Sequence, residues 1–158
     1  MKLRLTKPCR RLPLKNRRAL LAMLRRAVTS SGLAARAATD AELHLVLVSA
    51  REITALNEAH LGHEGPTDVI TFDLADEVAF PGEPQTVGEI YVCLDVAAEA
   101  GERLGTGAAY ETVLYCVHGM LHLTGLDDHE PADRKRMRAA ETRIMAELSD
   151  IRDLRDIM

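Results

Sequence analysis

The hydrophobic positions switch along the chain between a period of two and a period near 3.6. Residues 2–6 (KLRLT), 43–49 (LHLVLVS), 67–74 (TDVITFDL) and 87–94 (VGEIYVCL) alternate or run apolar over strand lengths, and each predicts a β-strand. Residues 14–31 set Leu14, Leu20, Leu21, Leu24 and Val28 at helical spacing with arginines between them, which predicts a helix with a basic outer face. Ser49 followed by Glu52 predicts a capping box opening a helix over 50–61. A helix over 96–105 is expected to start from Asp95 as its cap. A mostly apolar helix over 108–124 is expected to close at Gly125. Pro131 suits the first turn of a last helix. Its positions Met137, Ala140, Ile144, Leu148, Ile151 and Leu154 form one apolar stripe, read as core packing rather than a dimer seam. The order β-α-β-α-β-β-α-α-α predicts an α+β fold, an α/β sandwich. A small four-stranded mixed sheet would be packed with about five helices in a single domain over 1–158.

Composition narrows the class. The chain is 47% hydrophobic and 28% charged, proportions of a globular protein rather than a disordered one. No apolar run approaches the ~18 residues of a membrane helix, and the charged start (MKLRLTKPCRRLPLKNRR) has no apolar core of a secretory signal. A cytoplasmic location is therefore expected, with no membrane partner, and Cys9, Cys93 and Cys116 are expected to be free thiols. Only five aromatic residues are present, which argues against reading nucleic acid with a row of exposed rings. The net charge of −4 hides a split: residues 1–40 hold eleven Lys/Arg and one acid, the remainder nine and twenty-three. Such a basic block is either a solvated helix face or a polyanion contact.

The sharpest chemistry lies in Val117–Glu130, VHGMLHLTGLDDHE. His118 and His122, four apart on a helix, stack on one face about 6 Å apart along the axis. Gly125 lets the chain turn back and return Asp127, Asp128 and His129 toward that face. Three histidines with a fourth position open are the pattern of a catalytic zinc, one ion per chain. Peptidases of the H-E-x-x-H type need a Glu beside the first histidine, and Gly119 stands there instead. Glu111, two turns before His118 on nearly the same face, is a candidate base or supporting carboxylate. Cys116 points about 200° away from His118 on a helix and is read as packing, like Cys93. His44 reads as an ordinary strand residue, whereas His60 and His63 flank Gly62 in a turn and are candidate substrate contacts.

These motifs resemble those of the YbeY family, the bacterial rRNA-maturation endoribonucleases. His118–His129 is similar to the family's H-G-x-L-H-L-x-G-x-D-H signature. Leu56-Asn57, Gly62 and Pro66–Phe72 are similar to its Leu-Asn … Gly … Pro-Thr-Asp-Val-Leu-Ser-Phe block. Gly88–Cys93 is similar to its Gly-Asp-Ile-x-Ile-Cys strand, and Met137, Glu141, Ile144 and Met145 resemble its last helix. The resemblance runs over roughly 43–145. It implies a zinc-dependent, single-strand-specific endoribonuclease acting in 16S rRNA 3′-end maturation and ribosome quality control, with the small ribosomal subunit as a partner. It places zinc on His118, His122 and His129.

Two departures stand out. The family has five residues between the second and third histidines and this chain has six, so Asp128 matches by spacing and His129 by residue type. His129 is the expected ligand, reached through a one-residue bulge, with Asp128 as the alternative. Family members often carry an Arg before the glycine where this chain has Leu61 before Gly62. Substrate contacts are therefore expected from His60 and His63, and from Arg17, Arg18 and Arg25 (with Arg26) if their helix borders the cleft. The competing readings are a zinc hydrolase of a non-nucleic-acid substrate, against which Gly119 speaks, and a non-catalytic zinc-binding ribosome-assembly factor.

Overall fold

The computed structural model describes residues 1–6, 14–151, 153–154 and 157–158; Cys9 lies outside them. Among the described residues four strands form, β1 (Lys2–Thr6), β2 (Glu42–Val48), β3 (Val69–Asp73) and β4 (Thr86–Cys93). They lie in the order β1-β2-β4-β3, with β1, β2 and β4 parallel and β3 antiparallel to β4. The helices among the described residues are α1 (Arg17–Ser30), α2 (Leu33–Arg36), α3 (Ala50–Leu61), α4 (Leu94–Leu104), α5 (Ala108–Leu123) and α6 (Pro131–Ile151). The mixed sheet and α+β class agree with the sequence reading. The short α2, which carries no amphipathic period of its own, was not expected.

Local chemistry explains most boundaries. Asn16 accepts a bond from the backbone of Ala19 and starts α1, later than the expected residue 14. Ser49 and Glu52 form the capping box of α3. Asp95 does not cap α4 as expected. That helix starts at Leu94, and the Asp95 carboxylate accepts from the Ala50 amide at 2.6 Å, tying the start of α4 to the start of α3.

The strand alternation builds a two-sided sheet. Leu43, Leu45 and Leu47 of β2 and Ile90 and Val92 of β4 face the main core, with Leu20 and Leu24 of α1, Met120 of α5 and Ile144 and Leu148 of α6. The α6 stripe is thus core, as read from its period, at Met137, Ile144 and Leu148. The opposite face carries a smaller cluster of Val48, Ile53, Ile70 and Cys93 beneath α3. Helix α5 lies close against the sheet because position 119 is glycine. A Cβ there would sit 2.7 Å from Ile90 Cγ2 and 2.8 Å from Thr71 Oγ1. This approach presents His118 and His122 beside β3, an edge strand of the sheet.

Candidate metal centre and cleft

The two histidines stand on the last turns of α5, one helical turn apart, with ring centroids 4.5 Å apart. The helix then ends in a left-handed turn at Gly125, where φ is +93°. The Gly125 amide donates to His122 O (2.8 Å) and the Leu126 amide to Leu121 O (3.2 Å), the bond pair of a Schellman motif. That reversal delivers the Leu126 carbonyl to His122 Nδ1, at 3.0 Å. On the other ring, Glu141 Oε1 from α6 meets His118 Nδ1 at 2.6 Å. Each Nδ1 thus carries the proton donated to its oxygen partner, and each Nε2 is left with a lone pair.

Those two Nε2 atoms face each other at 2.9 Å. Asp128 adds its carboxylate, 3.6 Å from His118 Nε2 and 3.8 Å from His122 Nε2. The result is three potential ligand atoms converging on one point, an arrangement that suits a cation between them. A tetrahedral ion with bonds of about 2.0–2.1 Å separates its ligand atoms by about 3.3–3.4 Å, and the three observed separations bracket that value. His118, His122 and Asp128 therefore fit a metal ion. Burial alone would lower the pKa of His118. The Glu141 bond, with the nearby carboxylates Asp128 and Asp68, outweighs it and holds the imidazole above its ordinary value.

The third member of the cluster is Asp128, the alternative by spacing, and not His129. His129 groups with Asp127 and Asp128 instead of with the histidine pair, and its side chain is 85% exposed beside Asp127. The cause lies in the loop. The Asp127 carboxylate accepts from the amides of Asp128 (2.7 Å) and His129 (3.3 Å), and Arg134 of α6 holds the His129 carbonyl at 2.5 Å. Arg36 bonds the Thr124 carbonyl at the start of the same turn. Fixed at both ends, the turn keeps the spacing in which Asp128 points inward.

Glu111 stands apart from the cluster. It is buried near the other end of α5, about 10 Å along the axis from His118, and accepts from the Thr106 hydroxyl at 2.5 Å. The carboxylate that does reach His118 is Glu141. Its signal in the sequence was an acid between Met137 and Ile144, on the buried stripe of the last helix.

A cleft of about 560 Å³ opens over the cluster, with Leu61, Asp68, Thr71 and Asp73 among its walls and His129 at its rim. Three carboxylates and three histidines line it, and among the described residues no Lys or Arg does. His60 and His63 are exposed and outside the lining; His60 stands edge-on to Phe72, ring centroids 5.5 Å apart. Arg17, Arg18 and Arg25 do not border the cleft: Arg17 donates to the Leu5 carbonyl at 2.8 Å, and Arg25 lines a different cavity. Their helix packs on α5, α6 and β1, away from β3. Cys93 and Cys116 are buried free thiols, and burial pushes Cys116 up to about 12, which makes it an inert packing group.

Comparison with known proteins agrees with this architecture. The family model described as Endoribonuclease YbeY matches residues 11–149. The chain belongs to the YbeY endoribonuclease family. A relative named Endoribonuclease YbeY from Elusimicrobium minutum is 38% identical over 126 residues, covering 78% of this chain and 85% of the relative. Another of that name from Salinispora tropica is 34% identical over 137 residues, 81% of this chain and 85% of the relative. The solution structure of TM1509 from Thermotoga maritima is similar in fold. Its TM-score is 0.63 at 26% identity, over 94% of this chain and 89% of that one. Membership in this family makes the protein an endoribonuclease, a hydrolase of ester bonds. No described helix is long and apolar enough to cross a membrane.

Proposed function

We propose that this YbeY-family enzyme is a zinc-dependent, single-strand-specific endoribonuclease of the cytoplasm. Its substrate is an rRNA precursor on or near the small ribosomal subunit, and its step is 16S rRNA 3′-end maturation and quality control. The observation that carries the reading is the meeting of three lone-pair donors, His118 Nε2, His122 Nε2 and Asp128, at the floor of an open cleft. His118, His122 and Asp128 would hold one zinc ion per chain. Three protein ligands suit a catalytic rather than a structural ion. When bound, zinc supplies Lewis acidity toward a phosphoryl oxygen and toward water.

The chain's own groups do the rest. Glu141 fixes the ring of His118, and the Leu126 carbonyl fixes that of His122, so both nitrogens stay aimed without reorganisation. Asp68 and Asp73 stand in the cleft wall, and His129 at the rim would contact the substrate. Amide hydrolysis of the H-E-x-x-H kind is disfavoured sterically as well as chemically. Position 119 faces Ile90 and Thr71 in the sheet, so a glutamate there would have no room.

The test is elemental analysis with cleavage assays. About one zinc per chain is expected, with cutting of unstructured RNA, sparing of duplex RNA, and loss of cutting on chelation. A zinc-loaded protein that leaves unstructured RNA intact would sink the reading in favour of a binding role. The new 3′ ends identify the nucleophile: a cyclic phosphate marks attack by the RNA's 2′-hydroxyl, and its absence marks water.

A further inference from the structure

The cleft presents a physical problem for an enzyme of RNA. Its lining holds Asp68, Asp73 and Asp128 and, among the described residues, no permanent cation. Single-stranded RNA gains most of its affinity from phosphates meeting Lys or Arg. The affinity must then come from elsewhere on the chain, and several of the described cations are already engaged. Arg4 is bound to Glu42, Arg17 to the Leu5 carbonyl, Arg26 to Glu147, and Arg36 and Arg134 to the metal loop.

At the far side of the sheet lies a second cavity of about 280 Å³, between the start of β1 and the outer face of α1. Lys2 and Arg25 line it together, and Leu3, Val28 and Ala34 form apolar walls. Both cations are exposed, no carboxylate lines the cavity, and among the described residues neither side chain makes an ion pair or hydrogen bond. Arg18 stands two helical turns before Arg25 and continues the basic face. The volume is near the ~300 Å³ lower end of small-ligand sites, enough for one nucleotide and too small for a helix.

We propose that this cavity anchors one nucleotide of a single-stranded RNA whose scissile bond lies in the metal cleft. Lys2 and Arg25 hold its phosphodiester, and its base or sugar rests on Leu3, Val28 and Ala34. The proposal rests on the endoribonuclease reading for its ligand. Strands β1 and β3 are the two edges of the sheet, three strand spacings or about 15 Å apart. An RNA must run on beyond the metal cleft by at least that distance to engage both places. Chemistry and affinity are thereby separated on this protein, and short substrates feel only the cleft.

The experiment compares wild type with the double variant K2Q/R25Q. Binding of a fluorescent 20-nucleotide unstructured RNA is titrated by anisotropy across salt, and cleavage of the same RNA and of a trinucleotide is followed in parallel. Two lost phosphate contacts at ~0.7 counterions each should reduce the log–log salt slope by about 1.4 and weaken binding about 25-fold at 0.1 M salt. Trinucleotide cleavage should be unchanged. A control, K135Q/R138Q on exposed positions of α6, removes the same charge elsewhere and should bind nearly as wild type does. Unaltered affinity and slope in K2Q/R25Q, or an equal loss in the control, overturns the anchoring site while cleavage by wild type leaves the enzyme reading intact. Weakened binding in K2Q/R25Q alone, with no cleavage by any form, upholds the anchor and sinks the enzyme reading.

Discussion

Replacing Asp128 by alanine should cost the protein most of its metal affinity, and replacing His129 should cost almost none. Structural zinc sites with four ligands bind with about 10–16 kcal/mol, or about 2.5–4 kcal/mol per ligand. Removing one of the three donors at His118, His122 and Asp128 therefore predicts a loss of about two to three decades in affinity. His129 is 85% exposed and touches only Asp127 among the acids. Its truncation falls in the class of surface changes worth about 0.5 kcal/mol or less, about a factor of two. The assay is competition of each variant against a chromophoric zinc chelator at fixed pH, with zinc-induced thermal stabilisation as a second readout. The stabilisation follows RT ln(1 + [Zn]/Kd) and so shrinks by about 1.4 kcal/mol for each decade of affinity lost. Metal retained in Asp128→Ala and lost in His129→Ala would refute a turn whose register is fixed by the Arg134 and Asp127 bonds with Asp128 pointing inward.

Three further outcomes follow from the same geometry. Glu141→Gln should weaken zinc binding by about 10–100-fold through the orientation and basicity of His118, with little effect on the fold; affinity equal to wild type would remove Glu141 from the site. In the metal-free protein His118 has a pKa raised above its ordinary 6.5. Its contribution to stability is therefore full below that value and lost as pH rises through the folded-state value. The melting-temperature difference between wild type and Glu141→Gln should fall across that window, and a difference independent of pH counts against the pairing. Gly119→Ala should destabilise the protein by about 1–3 kcal/mol, because its methyl meets Ile90 and Thr71 inside contact distance. A denaturant midpoint equal to that of wild type would show that α5 is free to lift from the sheet.

The periodicities determined by themselves which segments became strands and which became long helices, since burial of one face is a local pattern repeated along each element. The His118–His122 spacing was equally legible, because four residues on a helix place two side chains on one face whatever lies beyond. So was the reversal at Gly125, where a left-handed residue is cheap only for glycine. What the tertiary structure alone decided was which groups from elsewhere reach that face. Glu141 is nineteen residues beyond His122 and arrives because α6 packs on α5, while Glu111, on the same helix as the histidines, is separated from them by two turns of rise. Asp128 and His129 differ by one position in a turn, and local spacing cannot rank them. Bonds from Asp127 and Arg134 settle which side chain points inward. The arginines of α1 were visible as charge but not as location: long-range packing put that helix at the β1 side of the sheet, away from the cleft at β3.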